Sequence, residues 1–216
     1  MTVSVIVPAF DAGAFLTEAL ESVFRNACLP LEVIVIDDGS SDDTAAIARQ
    51  FPVILLERPH QGVAAARNAG WRRSSGQLIA WLDADDRWPD GRLAKQASLL
   101  EANAAIDVVY GRVREFADDE QVAQRVRPVA PARLPGSMLI RREAFARVGA
   151  FDEQLAVGEF MDWLVRARDC RLREAMLEDV CLDRRLHGRN LGIVAREPRG
   201  DYLRVARRAL ASKREG

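Results

Sequence analysis

The 216-residue chain is 49% hydrophobic and 29% charged, the balance of a soluble globular domain and far from that of a disordered segment. Its 31 basic and 32 acidic residues leave a net charge of −1, so the molecule as a whole offers no general attraction to nucleic acid or to an anionic membrane, and charge-based recognition has to be local. The length suits one α/β core and is too short for two ordinary catalytic domains.

The chain enters directly into an apolar run, Val3 to Val7, broken by Pro8, with no basic flank or cleavage site, so no leader is expected. No apolar run approaches the ~20 residues of a membrane span. Cys28, Cys170 and Cys181 are odd in number and lack metal-ligand spacing; they read as reduced thiols, which points to the cytoplasm. Over the first hundred residues, short β-rich runs alternate with helical patterns: "VSVIVP", 14–27, "EVIVID", 42–50, "VILLE", 63–74 and "QLIAWLD". This alternation predicts a parallel sheet with crossover helices, and strands apolar on both faces predict a sheet covered on both sides. Ligands of open α/β sheets sit beyond the carboxyl ends of the strands, here Pro8 to Asp11, Asp37 to Asp42, Arg58 to Gly62 and Asp83 to Trp88.

Ser40, Ser41 and Asp42 offer side-chain oxygens to the helix that follows them. Beyond "DVVYGRV" from Asp107, residues 114 to 135, with Pro128, Pro131 and Pro135, read as a long loop of the kind that often carries function. The tail from Asp201 to Ala211 gathers Tyr202, Leu203, Val205, Ala206, Ala209 and Leu210 on one broad helical face, with Arg204, Arg207 and Arg208 mostly elsewhere. Such a helix either docks onto the domain or makes peripheral contact with a membrane surface. There is no internal repeat.

Asp83, Asp85 and Asp86 end the apolar run "LIAW". Like charges this close raise one another's pKa, so the cluster is tolerable with a divalent cation or several donors, and oxygen ligands suit Mg²⁺ or Mn²⁺; a solvated turn is the alternative. Asp37, Asp38, Gly39, Ser40 and Asp42 end the second strand, where a carboxylate accepts hydrogen bonds from a base or ribose, or simply closes an Asp-Gly turn. Neither G-x-G-x-x-G after the first strand nor G-x-x-x-x-G-K-[ST] occurs, which argues against a dinucleotide fold and a P-loop. Arg67 and Asn68 lie in the small-residue helix "GVAAARNAG"; an arginine buried there wants an anion or a carboxylate partner.

The segments "VSVIVPAF", "VIVIDDGSSDDT", "GVAAARNAG", "LIAWLDADDRW", "GSMLIRREAFARVGAFDE" and "EFMDWLVRA" resemble, in the same order, the motifs of family 2 glycosyltransferases, over roughly residues 2 to 190. The resemblance implies a GT-A fold, α/β with a Rossmann-like, mostly parallel sheet: a catalytic domain over 1–195, divided into a nucleotide-sugar half (1–106) and an acceptor half (107–195), then a basic amphipathic tail (196–216). It implies inverting transfer from a nucleoside diphosphate sugar, a UDP-sugar foremost, to a hydroxyl of a carbohydrate or lipid-linked acceptor in polysaccharide biosynthesis, with Mn²⁺ or Mg²⁺ as cofactor and no nucleic-acid partner.

The site residues follow from that resemblance. Pro8, Ala9 and Phe10 would pack on the nucleotide, Asp38 with Asp37 beside it would read the base, and Arg67 would contact the nucleotide. Asp83 and Asp85 match the acid-x-acid motif, with Ala84 between them lining the donor site, Asp83 and Asp85 toward the metal, and Asp86 orienting or binding through water. The motif of the general base departs from the usual acidic pair followed by Trp-Asp-Leu, because Phe160 follows Glu159. Glu159 is the candidate base and Asp162, three residues on and so on the same helical face, the other. His187 would contact the metal or diphosphate, and Arg184, Arg185 and Arg189 would either hold phosphate oxygens or form a solvated basic face. Trp88 and Trp163 either shape the sugar pocket or belong to the core.

Overall fold

The computed structural model describes residues 1–26, 30–188 and 199–212; Cys28 and Arg189 fall outside them. Strands β1 (Val3–Ala9), β2 (Pro30–Asp37), β3 (Ile54–Glu57) and β4 (Leu78–Trp81) are separated by helices α1 (Leu16–Arg25), α2 (Thr44–Ala48) and α3 (Val63–Arg73). All four strands are parallel, with β2 and β4 on either side of β1 and β3 outside β2. Then come α4 (Arg92–Ala102), β5 (Val108–Phe116), α5 (Glu120–Ala123), β6 (Ala130–Ala132), β7 (Leu139–Arg141), α6 (Arg142–Val148), α7 (Glu159–Asp169), β8 (Glu174–Arg185) and α8 (Arg199–Ser212). The sheet runs β3-β2-β1-β4-β7-β5-β6, and β8 pairs with β5. Because β7 is antiparallel to both β4 and β5, one continuous sheet joins the first half of the chain to the second.

Both faces of the sheet are covered, as the doubly apolar strands require. Val3, Val5 and Val7 of β1 pack with Val33, Val35, Leu78 and Ala80 against α1 and α4. In α1 the buried Leu16, Ala19, Leu20 and Val23 recur at the spacing of one helical stripe. Ile6, Ile34, Ile36, Ile79 and Trp81 face the other way, toward α3 and the aromatic layer of Phe145, Phe151, Phe160 and Trp163. The small residues of α3 let it lie close: a Cβ on Gly70 would stand 2.4 Å from Ile6 Cγ2 and 2.7 Å from Ile36 Cδ1. Trp88 and Trp163 are fully buried, which settles both as core residues.

Three local expectations change. The capping oxygen of α2 belongs to Asp42, which accepts from Thr44 N at 2.9 Å; Ser40 Oγ instead accepts from Asp11 N at 2.9 Å. Residues 114–135 are not a single loop: β5 runs on to Phe116, and α5 and β6 follow, β6 pairing antiparallel with β5 through Gly111–Val113. Finally, the apolar residues of the tail do not share one face. Val205 is buried against α7, whereas Leu203 and Leu210 point away and are exposed.

β8 carries the chain back to the carboxyl ends of the parallel strands. Its pairing with β5 shifts register on both sides of Arg112, next to Gly111, where a Cβ would meet Cys181 Sγ at 2.2 Å; the bulge needs that close approach. The end of β8 is then stitched to the loop after β4, with Arg87 N donating to Asp183 O at 3.1 Å and Asp183 N to Arg87 O at 2.9 Å. Among the described residues no helix is long and apolar enough to cross a membrane.

Candidate active site

At the end of β1, Pro8 and Ala9 are buried and Phe10 turns outward, 48% exposed. The following Asp11 adopts a left-handed backbone (φ 45°), held by Ser41 N donating to its carboxylate at 2.8 Å. After β2, Asp37 Oδ1 accepts from Ser40 N at 2.9 Å, which closes the turn. Asp38 is only 2% exposed and its carboxylate is committed to the loop after β3. It accepts from Gly62 N at 2.7 Å and Gln61 N at 3.1 Å, and it lies 3.2 Å from Arg58 Nε and 2.9 Å from His60 Nδ1. The acid expected to read a base therefore holds residues 58–62 in place. The side chain it presents outward is His60, whose ring sits 4.1 Å from that of Phe10, tilted 32°. Sequence reasoning missed His60; its place among Arg58 to Gly62, a strand-end segment, was the available signal.

Arg67 is buried, 4% exposed, and spans the two halves of the chain. Its Nη2 donates to Asp83 Oδ1 at 2.7 Å and its Nη1 to Glu159 Oε1 at 2.5 Å. Burial alone would lower its pKa, but the charges of Asp83 and Glu159 outweigh this and raise it above the usual guanidinium range. Its Nε has no hydrogen-bond partner among the described residues. The next residue, Asn68, extends the link: Nδ2 donates to Phe151 O at 2.9 Å, and Phe151 N donates to Asn68 Oδ1 at 3.0 Å.

Beside Asp83, the buried Ala84 leads to Asp85, whose Oδ2 lies 3.0 Å from His187 Nε2. The His187 ring stacks on Phe15 at 4.9 Å. Asp86 is buried and accepts from Arg185 N at 2.8 Å; burial first, then the charges of Asp85 and Asp83, push its pKa well above the ordinary carboxylate value. Arg185 forms no open phosphate fork. It is buried, paired with Glu18 and Asp118, donates from Nε to Asp85 O at 3.0 Å, and has Phe15 and Phe116 5.1 and 4.6 Å from its guanidinium carbon. Arg184 pairs with Glu115 at 3.2 Å. Both are structural in this arrangement.

Asp83, Asp85 and His187 do not close into a three-ligand cluster, and no group of three His, Cys, Asp or Glu that could hold a metal ion occurs among the described residues. Asp83 is turned to Arg67, which leaves Asp85 and His187 as the pair that converges. One carboxylate and one imidazole suit a transition ion such as Mn²⁺, with substrate phosphates completing the shell, better than Mg²⁺, which prefers oxygen ligands throughout.

Glu159 is the first residue of α7, after Gly158 in a left-handed conformation (φ 79°), and faces Arg67. Asp162 does not join it. It is fully buried, with Oδ2 accepting from Arg166 Nε at 2.9 Å and Oδ1 from Arg208 Nη1 at 2.7 Å. Shared helical spacing did not bring the two acids to one cleft, because α8 covers the side on which Asp162 emerges. Phe160 is buried with Phe151 and Trp163.

The sequence profile described as Glycosyl transferase family 2 matches residues 4–155, more than half of the chain. The chain belongs to this family. It is 29% identical over 198 residues to the glycosyltransferase AglE of Haloferax volcanii, covering 82% of this chain and 65% of that protein. It is 27% identical over 181 residues to the UDP-Glc:alpha-D-GlcNAc-diphosphoundecaprenol beta-1,3-glucosyltransferase WfgD of Escherichia coli, covering 82% and 70%. The crystal structure of S. aureus TarS 1-349 in complex with UDP-GlcNAc superposes with a TM-score of 0.81 at 19% identity, covering 98% of this chain and 66% of that one. The chain thus spans about two thirds of the length of these relatives, and its fold is of the GT-A type.

Proposed function

We propose that this family 2 chain transfers a sugar, with inversion, from a nucleoside diphosphate sugar to an acceptor hydroxyl. The observation that carries the proposal is the convergence of Asp85 with His187 at the strand end that also carries the Arg67–Asp83 pair. The donor is a UDP-sugar, a choice supported by the UDP-GlcNAc complex of TarS and by the UDP-Glc for which WfgD is named. The WfgD name also supports a lipid-linked carbohydrate acceptor.

In this reading Phe10 and His60 flank the nucleobase, and Asp37 and Asp38 fix the turns on which they stand. Asp85 and His187 would hold Mn²⁺ or Mg²⁺, which would supply Lewis-acid stabilisation of the departing diphosphate. Arg67 holds Asp83 on the donor side and Glu159 on the acceptor side. Glu159 accepts the acceptor's hydroxyl proton, and inversion follows from attack on the face opposite the leaving group.

A thermal-shift panel tests the reading, since a ligand of the folded state raises the melting midpoint. UDP-sugars with Mn²⁺ are expected to raise it, EDTA to cancel most of the rise, and His187→Ala to lose the metal-dependent part. A panel in which no sugar nucleotide shifts the midpoint would sink the proposal. The second reading is a sugar-nucleotide-binding protein without transferase activity, favoured by Phe160 standing where the motif has an acid and by Arg67 covering Glu159. It predicts tight donor binding with neither transfer nor release of UDP; wild-type release of UDP that Glu159→Gln abolishes, with donor binding intact, excludes it.

A further inference from the structure

α8 is anchored by one face only. Asp201 Oδ2 accepts from Ala156 N at 3.0 Å, Val205 is buried, and Arg208 pairs with Asp152 at 3.1 Å and Asp162 at 2.7 Å. The Tyr202 ring lies over Gly158, where an added Cβ would sit 3.4 Å from Cε1. These contacts fix the helix to the start of α7, the turn that carries Glu159.

Among the described residues, its opposite face leaves two leucines exposed. Leu203 and Leu210, two turns apart on one stripe, are 59% and 62% exposed. They are two of the seven exposed large hydrophobic side chains among the described residues, both on one face of one helix of 14 residues. Arg204 and Arg207 are exposed beside the stripe; the acidic residue of the helix, Asp201, faces inward, where it accepts from the Ala156 amide and lies 3.9 Å from Arg204 Nη2. Basic side chains beside an apolar stripe match a surface of anionic headgroups over hydrocarbon, and the match holds although the whole chain carries a net charge of only −1.

We propose that the outer face of α8 is a membrane-docking surface, which seats Leu203 and Leu210 at the headgroup boundary of an anionic bilayer with Arg204 and Arg207 against its phosphates. Contact through one short helix is reversible and weakened by salt. Because α8 is latched to α7, docking turns the acceptor side of the cleft toward the bilayer. The inference rests on the proposed transferase reading only for what that orientation serves, a sugar acceptor carried on a lipid.

Co-sedimentation of the full chain with vesicles decides it. The protein is expected to pellet with vesicles of phosphatidylcholine and phosphatidylglycerol in equal parts at low salt, to stay in solution with phosphatidylcholine alone, and to be released by high salt. Leu203→Ser with Leu210→Ser, and separately Arg204→Glu with Arg207→Glu, should each lower the partition constant about tenfold or more. Melting midpoints of both variants, altered only at exposed positions, and their shifts with UDP-sugars should match the wild type, so a failure of docking is distinguishable from a failure of the catalytic reading. The proposal is overturned if the wild type stays in solution with the anionic vesicles or if both variants bind as it does. It is also overturned if light scattering finds a wild-type dimer that the leucine variant dissolves, since the face would then be an interface between copies.

Discussion

Arg67 shows how much one side chain can carry. Glu159 is buried and depends on it for neutralisation, so removing the guanidinium leaves an uncompensated charge. Arg67→Met should lose about 3 kcal/mol of stability in urea unfolding, and Glu159→Gln in the same background should recover part of it, as expected for coupled partners. Glu32 makes a prediction about pH. Its burial would raise the pKa, but hydrogen bonds from the Ser4 hydroxyl and from Ser75 N and Oγ outweigh that and lower it. A carboxylate lowered in the folded state stabilises above its ordinary value, about 4.3, and loses that contribution as pH falls through the folded value. Glu32→Gln should therefore cost about 1 kcal/mol at neutral pH, and the difference from wild type should shrink as the pH falls below the ordinary carboxylate value. The sequence made the chemical types of these residues visible, though not their partners. Asp38 looked free to read a base because its donors, the amides of Gln61 and Gly62, come from another strand end.

At the scale of elements, legibility followed burial. β1 to β4 and α1 to α3 were readable because strands covered on both faces must be apolar runs, and α1 must show its stripe. β8 escaped because it ends the sheet beside β5: its first half is partly exposed and mixes Glu174, Glu178 and Asp179 with apolar residues. The excursion after β5 was misjudged for a related reason, since its prolines suggested a loop while Pro131 sits in a three-residue strand. The close packing of α3 gives the element-level test. Gly70→Ala would press a methyl group into Ile6 and Ile36; a loss of about 1–3 kcal/mol is expected by denaturant titration, with secondary structure unchanged by circular dichroism. An unchanged midpoint would mean that α3 stands further from the sheet.

For the whole molecule, the two halves share a sheet through β7 and share ion pairs and hydrogen bonds through Arg67 and Asn68. They should therefore unfold as one unit. Tryptophan fluorescence and far-ultraviolet circular dichroism are expected to give coincident urea transitions, whereas separate midpoints would mark the halves as independent domains. Fluorescence is a fair probe of this unity, since Trp81 of the first half packs against Phe145 of the second, Trp88 donates to Gly136 O there, and Trp163 lies in the same core as Trp81. The way Asp38 is spent has a last consequence, for which residues of the strand-end segment are open to exchange. Its carboxylate clamps the 58–62 segment by main-chain amides, which any residue except proline supplies, while the outward surface there belongs to His60. The clamp thus works as a socket and the segment as an exchangeable tip: a change at 60 gives up the imidazole contact with Asp38 but keeps the amides of Gln61 and Gly62, so the outward surface can vary while its seat stays fixed.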